Sequence, residues 1–208
     1  LNYVGIHNVL ALKGDNINYE QEVPRGRSKN KHASDLVRQL TNMNKGLFLD
    51  DLAEAQPTDF CIGVAGYPEK HLSAPDLNTD IKYLKAKVDA GASYIVTQMF
   101  FDNKDYFAFV DKCRTYGITA PIIPGLKVIT SEKQLGTLPK IFNITIPNDL
   151  YEKIKRAPQE KTIEIGAEWA SRQAEDLLNK SVPSIHFYVM QSSEPIHKVM
   201  RNLNGKSQ

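Results

Sequence analysis

Gln98 lies inside an otherwise apolar run, Val96-Thr97-Gln98-Met99-Phe100-Phe101, that closes on Asp102. Its amide offers one acceptor and two donors, and leaving such a group unpaired inside a fold costs about 1–3 kcal/mol. The side chain is therefore either tied into a structural network or aimed at a ligand. Three other runs turn polar in the same direction: Asn8 to Asp15, Phe60 to His71 and Ile185 to Gln191. Their ends bring forward Lys13, Gly14 and Asp15, then Tyr67, Glu69 and His71, then His186 and Tyr188. Ammonium, carboxylate, imidazole and amide groups together suit the binding and orientation of a polar small molecule. Taken singly these residues are weaker signals, since Gly-Asp is ordinary turn chemistry and a histidine flanked by apolar residues reads first as a core residue. No metal site is expected, because neither HExxH nor a paired-histidine spacing occurs. GxGxxG and Walker A patterns are absent too, so a dinucleotide would bind without a Rossmann fingerprint.

Short β-rich runs alternate with helical periods. Strands fit Asn8 to Leu12, Phe60 to Gly66, Tyr94 to Phe101, Ile122 to Leu126 and Ile185 to Met190. Helices fit His32 to Met43, Leu77 to Ala90, Lys104 to Tyr116, Ser131 to Phe142, Thr162 to Lys180 and a tail from Pro195. Alternation of this kind predicts a parallel sheet in one α/β domain spanning residues 1–208, either doubly wound or part of an eight-stranded barrel. In both architectures ligands bind at the C-terminal ends of the strands, which is where the polar residues fall. Gly91 and Gly117 each follow a helical period, as left-handed C-caps require. The stretch Asn16 to Lys31, with Pro24 and Arg25-Gly26-Arg27, reads as a long surface loop.

Composition excludes several classes. The 208 residues are 41% hydrophobic and 24% charged, which is globular composition. A net charge of +2 is too weak to argue for nucleic acid. No apolar run approaches a membrane span and no secretory leader is recognisable, so a cytoplasmic enzyme is the expectation. Cys61 and Cys113 lie in apolar elements without CxxC spacing and read as reduced core residues.

Five motifs in order, Lys13-Gly14-Asp15, Ala65-Gly66-Tyr67-Pro68-Glu69 with His71, Thr97-Gln98-Met99-Phe100-Phe101-Asp102, Ile123-Pro124-Gly125 and His186-Phe187-Tyr188, together resemble methylenetetrahydrofolate reductase. Lys87-Val88-Asp89-Ala90-Gly91-Ala92 before the third strand adds to the likeness. The resemblance implies a flavin-dependent (βα)8 TIM-barrel fold, of which this chain supplies about the last five strand-helix units. It implies reduction of 5,10-methylenetetrahydrofolate to 5-methyltetrahydrofolate, with NADH or NADPH as hydride donor and FAD as cofactor. The FAD contacts it implies are Lys13, Gly14, Asp15, His32, Ala33, Ala65, Tyr67, His71, Asp80 and Lys87. Lys13 stands where the family often has Arg, which keeps phosphate attraction but not a bidentate fork, and His32 stands where Tyr is common. Asp15 and Gln98 would take the catalytic positions, Asp15 tuning the flavin ring, while Gln98, Gln134 and Tyr188 would face folate or nicotinamide. The family's general-acid glutamate ends a first strand that has no counterpart here. The expected partner is a small-molecule folate, with no nucleic acid, no membrane and a homo-oligomeric state. The alternative is a non-catalytic partial-barrel fragment that binds flavin weakly or not at all and completes its sheet by dimerisation.

Overall fold

The computed structural model describes residues 1–13, 30–50, 52, 54–190 and 192–205. Five strands, β1 (Asn8–Ala11), β2 (Cys61–Gly66), β3 (Tyr94–Met99), β4 (Ile122–Leu126) and β5 (His186–Phe187), form one sheet in the order β1-β2-β3-β4-β5. Every neighbouring pair is parallel. A doubly wound sheet reverses its order at a switch point; this one never does. Unbroken sequential order with right-handed crossovers places all connecting helices on one face, which is barrel-type winding.

Seven α-helices are present among the described residues: α1 (Ala33–Met43), α2 (Leu77–Asp89), α3 (Asn103–Thr115), α4 (Gln134–Phe142), α5 (Asn148–Arg156), α6 (Thr162–Asn179) and α7 (Glu194–Asn204). Local chemistry starts and stops them. Asp76 accepts from Thr79 N–H at 2.9 Å to open α2, and Asp102 accepts from Lys104 N–H at 2.9 Å to open α3. Gly91 at φ 120° and Gly117 at φ 72° follow the ends of these two helices.

Ile62, Val64 and Ile95 face the helices and pack with Val37, Ile81, Phe109 and Cys113 in the main core, all essentially sealed from solvent. Each such aliphatic chain contributes about 1.5–3 kcal/mol through burial. The opposite face alternates out of register with this core. There Leu10 is 42% exposed and Cys61 is exposed, while Gly63 leaves room for the Tyr94 ring. A second core joins Met99 and Phe101 to Ile129, Leu135, Leu150 and Ile154 of the α4–α5 region. Trp169 of α6 ties this region to β3, donating its indole N–H to Phe101 O at 2.9 Å.

The strand expectations need trimming. β3 stops at Met99 because a bulge interrupts its pairing with β4 between Val96 and Met99. β5 is two residues long, not six, because only Gly125 and Leu126 of β4 are there to pair with it. Ser131 to Lys133 form a turn ahead of α4. Helix α5 was not anticipated, although Leu150 and Ile154 at a spacing of four, Asp149 in the first turn and Lys153, Lys155 and Arg156 in the last carry its signal. Cys61 is exposed rather than a core residue.

Candidate functional site

The C-terminal end of β2 builds a closed polar network. Asp80, in the first turn of α2 and 8% exposed, accepts from the His71 backbone N–H at 2.8 Å. Burial raises its carboxyl, against the pull of that hydrogen bond and of the Lys87 charge. Lys87, near the other end of α2, donates to Ala65 O at 2.5 Å. Burial holds its amine down at about 8, with Asp80 opposing. His71 Nδ1 accepts from Ser73 N–H at 3.1 Å, which puts the neutral ring's proton on Nε2. Tyr67 packs edge-on against the His71 ring at 4.6 Å. Backbone oxygen, half-buried amine, imidazole and phenol are thus gathered at one strand end.

The neighbouring strand end is built differently. β3 carries one more residue than β4 between the pairs Val96–Ile123 and Met99–Gly125, so Thr97-Gln98 bulges. Side chains fill the broken ladder: Gly125 N–H donates to Thr97 Oγ1 at 2.9 Å, and the Tyr188 hydroxyl donates to Thr97 O at 2.9 Å. A Cβ on Gly125 would meet Thr97 O at 2.2 Å and the Tyr188 ring at 2.7 Å, so the close approach requires glycine. Burial pushes the Tyr188 phenol up to about 12, consistent with a donor committed inside the fold. The bulge leaves Gln98 half-buried, its Oε1 accepting from Met99 N–H at 2.9 Å. Its NH2 has no partner among the described residues and borders a cleft with Tyr67, Glu69, Phe142 and Asn143.

The cleft wall is braced from the end of α4. Asn143, at φ 52°, donates from Nδ2 to Glu69 O at 3.2 Å and Lys70 O at 3.3 Å. Lys70, itself at φ 82°, is held by its amine on Ala74 O at 2.7 Å. Glu69 keeps one carboxyl oxygen buried without a hydrogen-bond partner, and burial raises its carboxyl, with the Thr145 hydroxyl and N–H opposing. Gln134 Oε1 accepts from Thr130 N–H at 2.8 Å, so part of its amide shapes the turn into α4.

Of the residues expected at the site, Ala65, Tyr67, His71, Asp80 and Lys87 come together at the end of β2. Gln98 and Tyr188 meet at the bulge, Tyr188 with its hydroxyl engaged on the backbone. Lys13 is exposed just past β1. His32 precedes α1, its N–H taken by Asp35 at 3.0 Å, and Ala33 is the first helical residue. Gly14 and Asp15 lie outside the described residues. Thr97, Gly125 and Asn143 were not foreseen as site residues.

Barrel-type winding with a polar cleft at the C-terminal strand ends defines an α/β protein of the TIM-barrel class, a class in which ligands bind at that mouth. The family described as methylenetetrahydrofolate reductase matches residues 1–204, and the chain belongs to that family. It is 34% identical to methylenetetrahydrofolate reductase 1 of Schizosaccharomyces pombe, over 96% of this chain and 31% of that one. It is 32% identical to the probable methylenetetrahydrofolate reductase (NADPH) of Caenorhabditis elegans, over 96% and 28%. To 5,10-methylenetetrahydrofolate reductase of Escherichia coli it is 32% identical, over 96% and 61%. The chain thus spans less than two thirds of each of these relatives.

Among the described residues no helix is long and apolar enough to cross a membrane, and no cluster of side chains could hold a metal ion.

Proposed function

We propose that the protein carrying this chain reduces 5,10-methylenetetrahydrofolate to 5-methyltetrahydrofolate with NADH or NADPH, using FAD, as a cytoplasmic homo-oligomer. The observation that carries this reading is the convergence of the family's marked residue types on two adjacent strand ends, β2 and β3. The donor set fits a flavin dinucleotide. Lys87 is a half-buried cation with a single protein acceptor among the described residues, His71 presents an Nε2 donor, and Tyr67 offers a ring, which suits a diphosphate and its nucleoside. When bound, the flavin supplies the hydride relay between nicotinamide and folate.

The chain's own residues bind and orient. Lys87 neutralises phosphate charge, and His71 donates from Nε2 to a phosphate oxygen. Asp80 acts through His71, fixing the backbone of the Tyr67–His71 turn. Gln98 turns its free NH2 toward the amide-like edge of the pterin or nicotinamide, while Thr97, Gly125 and Tyr188 hold the bulge that aims it. Gln134 borders the same ligand from α4. Lys13, Gly14, Asp15, His32 and Ala33 complete the flavin contacts on the β1 side.

Reconstitution of the intact protein with FAD tests the reading. The expected result is a retained flavin spectrum, bleaching by NADH or NADPH, and reoxidation by methylenetetrahydrofolate with 5-methyltetrahydrofolate formed. Retained flavin that neither nicotinamide bleaches, or no retained flavin at all, would overturn the reductase reading and favour the non-catalytic alternative.

A further inference from the structure

Glu69 lines the cleft beside Gln98 and takes no part in the binding just described. It stands in the turn between β2 and α2, and its Oε1 is sealed from solvent without a hydrogen-bond partner among the described residues. Its ties run across to the connection between α4 and α5. Asn143 Nδ2 donates to Glu69 O at 3.2 Å and to Lys70 O at 3.3 Å, and the Thr145 hydroxyl and N–H act on the carboxyl as donors. Both sides of this junction hold left-handed backbone, Lys70 at φ 82° and Asn143 at φ 52°, which persists in such residues only where the surroundings hold it. The charges that act most on the carboxyl are negative, from Asp105 and Asp102 at the start of α3. Lys70, the cation of the cleft lining, commits its amine to Ala74 O at 2.7 Å. Tyr67 adds a phenol to that lining, Gln98 and Asn143 add amides, and Met99, Phe142 and Ile144 are apolar. An ionised carboxyl with a sealed, unmet oxygen beside two acids is costly, whereas the neutral acid leaves only an uncharged atom unpaired.

We propose that Glu69 is a proton-operated clasp of the cleft wall. Protonated, it holds the β2–α2 turn against the α4–α5 connection; ionised, it turns its sealed oxygen out to water and lets the two segments part. Burial raises the carboxyl, Thr145 opposes this, and Asp105 and Asp102 add to it. The stability that the clasp contributes is therefore complete below the ordinary glutamate range and is lost as pH rises through the raised value. The clasp itself stands apart from the functional reading. Its effect on folate rests on that reading, because Tyr67 and Gln98 line the same cleft.

The test compares the intact wild-type protein with Glu69→Gln and Thr145→Ala from about pH 5 to about pH 8. Urea midpoints are measured, the backbone amide at position 145 is followed by NMR, and 5-methyltetrahydrofolate is titrated. Glu69→Gln keeps the shape of the side chain and cannot ionise. Relative to it, the wild-type midpoint should fall as pH rises, and the amide should shift in a step that the variant lacks. Folate should bind wild type about threefold more weakly at the upper pH and bind Glu69→Gln equally throughout. Thr145→Ala removes one opposing donor at an exposed position, so its step should move to higher pH. Midpoints of wild type and Glu69→Gln that run parallel, an amide step that survives Glu69→Gln, or a step that Thr145→Ala leaves in place overturns the clasp. Folate affinity that stays level while the midpoints diverge overturns its coupling to the cleft. If wild type binds no folate, the reductase reading falls, and the midpoints and the amide step decide the clasp without it.

Discussion

Two adjacent strand ends solve the same problem in opposite ways. At the end of β2 the polar side chains are already engaged, chiefly by the main chain: Lys87 donates to Ala65 O, Asp80 accepts from His71 N–H, and Tyr67 packs on the His71 ring. At the end of β3 the side chain that matters keeps its NH2 open, and backbone geometry fixed by Thr97, Gly125 and Tyr188 aims it. A cradle for charge can be assembled in advance, because backbone hydrogen bonds hold its groups in place and phosphate meets them through space. A group that reads a ring edge has to stay unpaired until the ligand comes, so its precision is supplied by the main chain beneath it.

The strongest way to break the contrast is Gly125→Ala. Its new methyl would collide with the Thr97 carbonyl, forcing β4 from β3, and we expect a loss of about 3 kcal/mol in urea unfolding. The β2 cradle lies a strand away, so flavin retained by the folded fraction should keep its affinity while folate affinity falls. A variant as stable as wild type would show that the bulge is not packed as described.

Gln98→Ala sharpens the contrast without disturbing the fold. Folate binding should weaken about tenfold through loss of one hydrogen-bonding group, with FAD affinity unaltered and unfolding free energy lowered by about 1 kcal/mol for the Met99 N–H left without its acceptor. Loss of flavin with folate kinetics intact would reverse the two assignments.

The smallest effect is one of pH and belongs to β2. With its amine held at about 8 by burial, Lys87 is charged below that pH and neutral above it. Bound phosphate favours the charged form, so FAD affinity is full at lower pH and declines by a few-fold as pH rises past about 8, binding there being coupled to proton uptake. Lys87→Met should bind more weakly and lose that slope in flavin-fluorescence titrations. A slope that survives the substitution would place the titrating group elsewhere.

What the sequence made legible follows from periodicity. Alternating apolar runs that turn polar at one end were sufficient for a parallel sheet and for the mouth on which Tyr67, His71 and Gln98 converge. The strand order, which separates a doubly wound sheet from barrel winding, depends on pairing and has no local signature. Nor has the bulge: one extra residue on β3 relative to β4 is a relation between segments about 25 residues apart, invisible until register is known. That is why Tyr188 reads in sequence as a ligand contact, whereas its hydroxyl is spent on Thr97 O. Helix α5 was missed for a different reason, its signal being two apolar residues among charges, below what a strongly polar segment needs to stand out. Asn143 reaches the site through its left-handed backbone, a conformation that residue type permits without announcing.

Trp169 is the sole tryptophan of the chain, and its indole is anchored on the carbonyl of Phe101, two residues past the end of β3. The protein therefore carries a built-in optical gauge at the root of its reading strand. Excited at the red edge, where tyrosine is silent, its emission reports on the junction between β3 and α3 alone. A nearby flavin, which absorbs where indole emits, would dim it, so occupancy of the mouth and integrity of its supporting strand can be followed together in the unlabelled molecule.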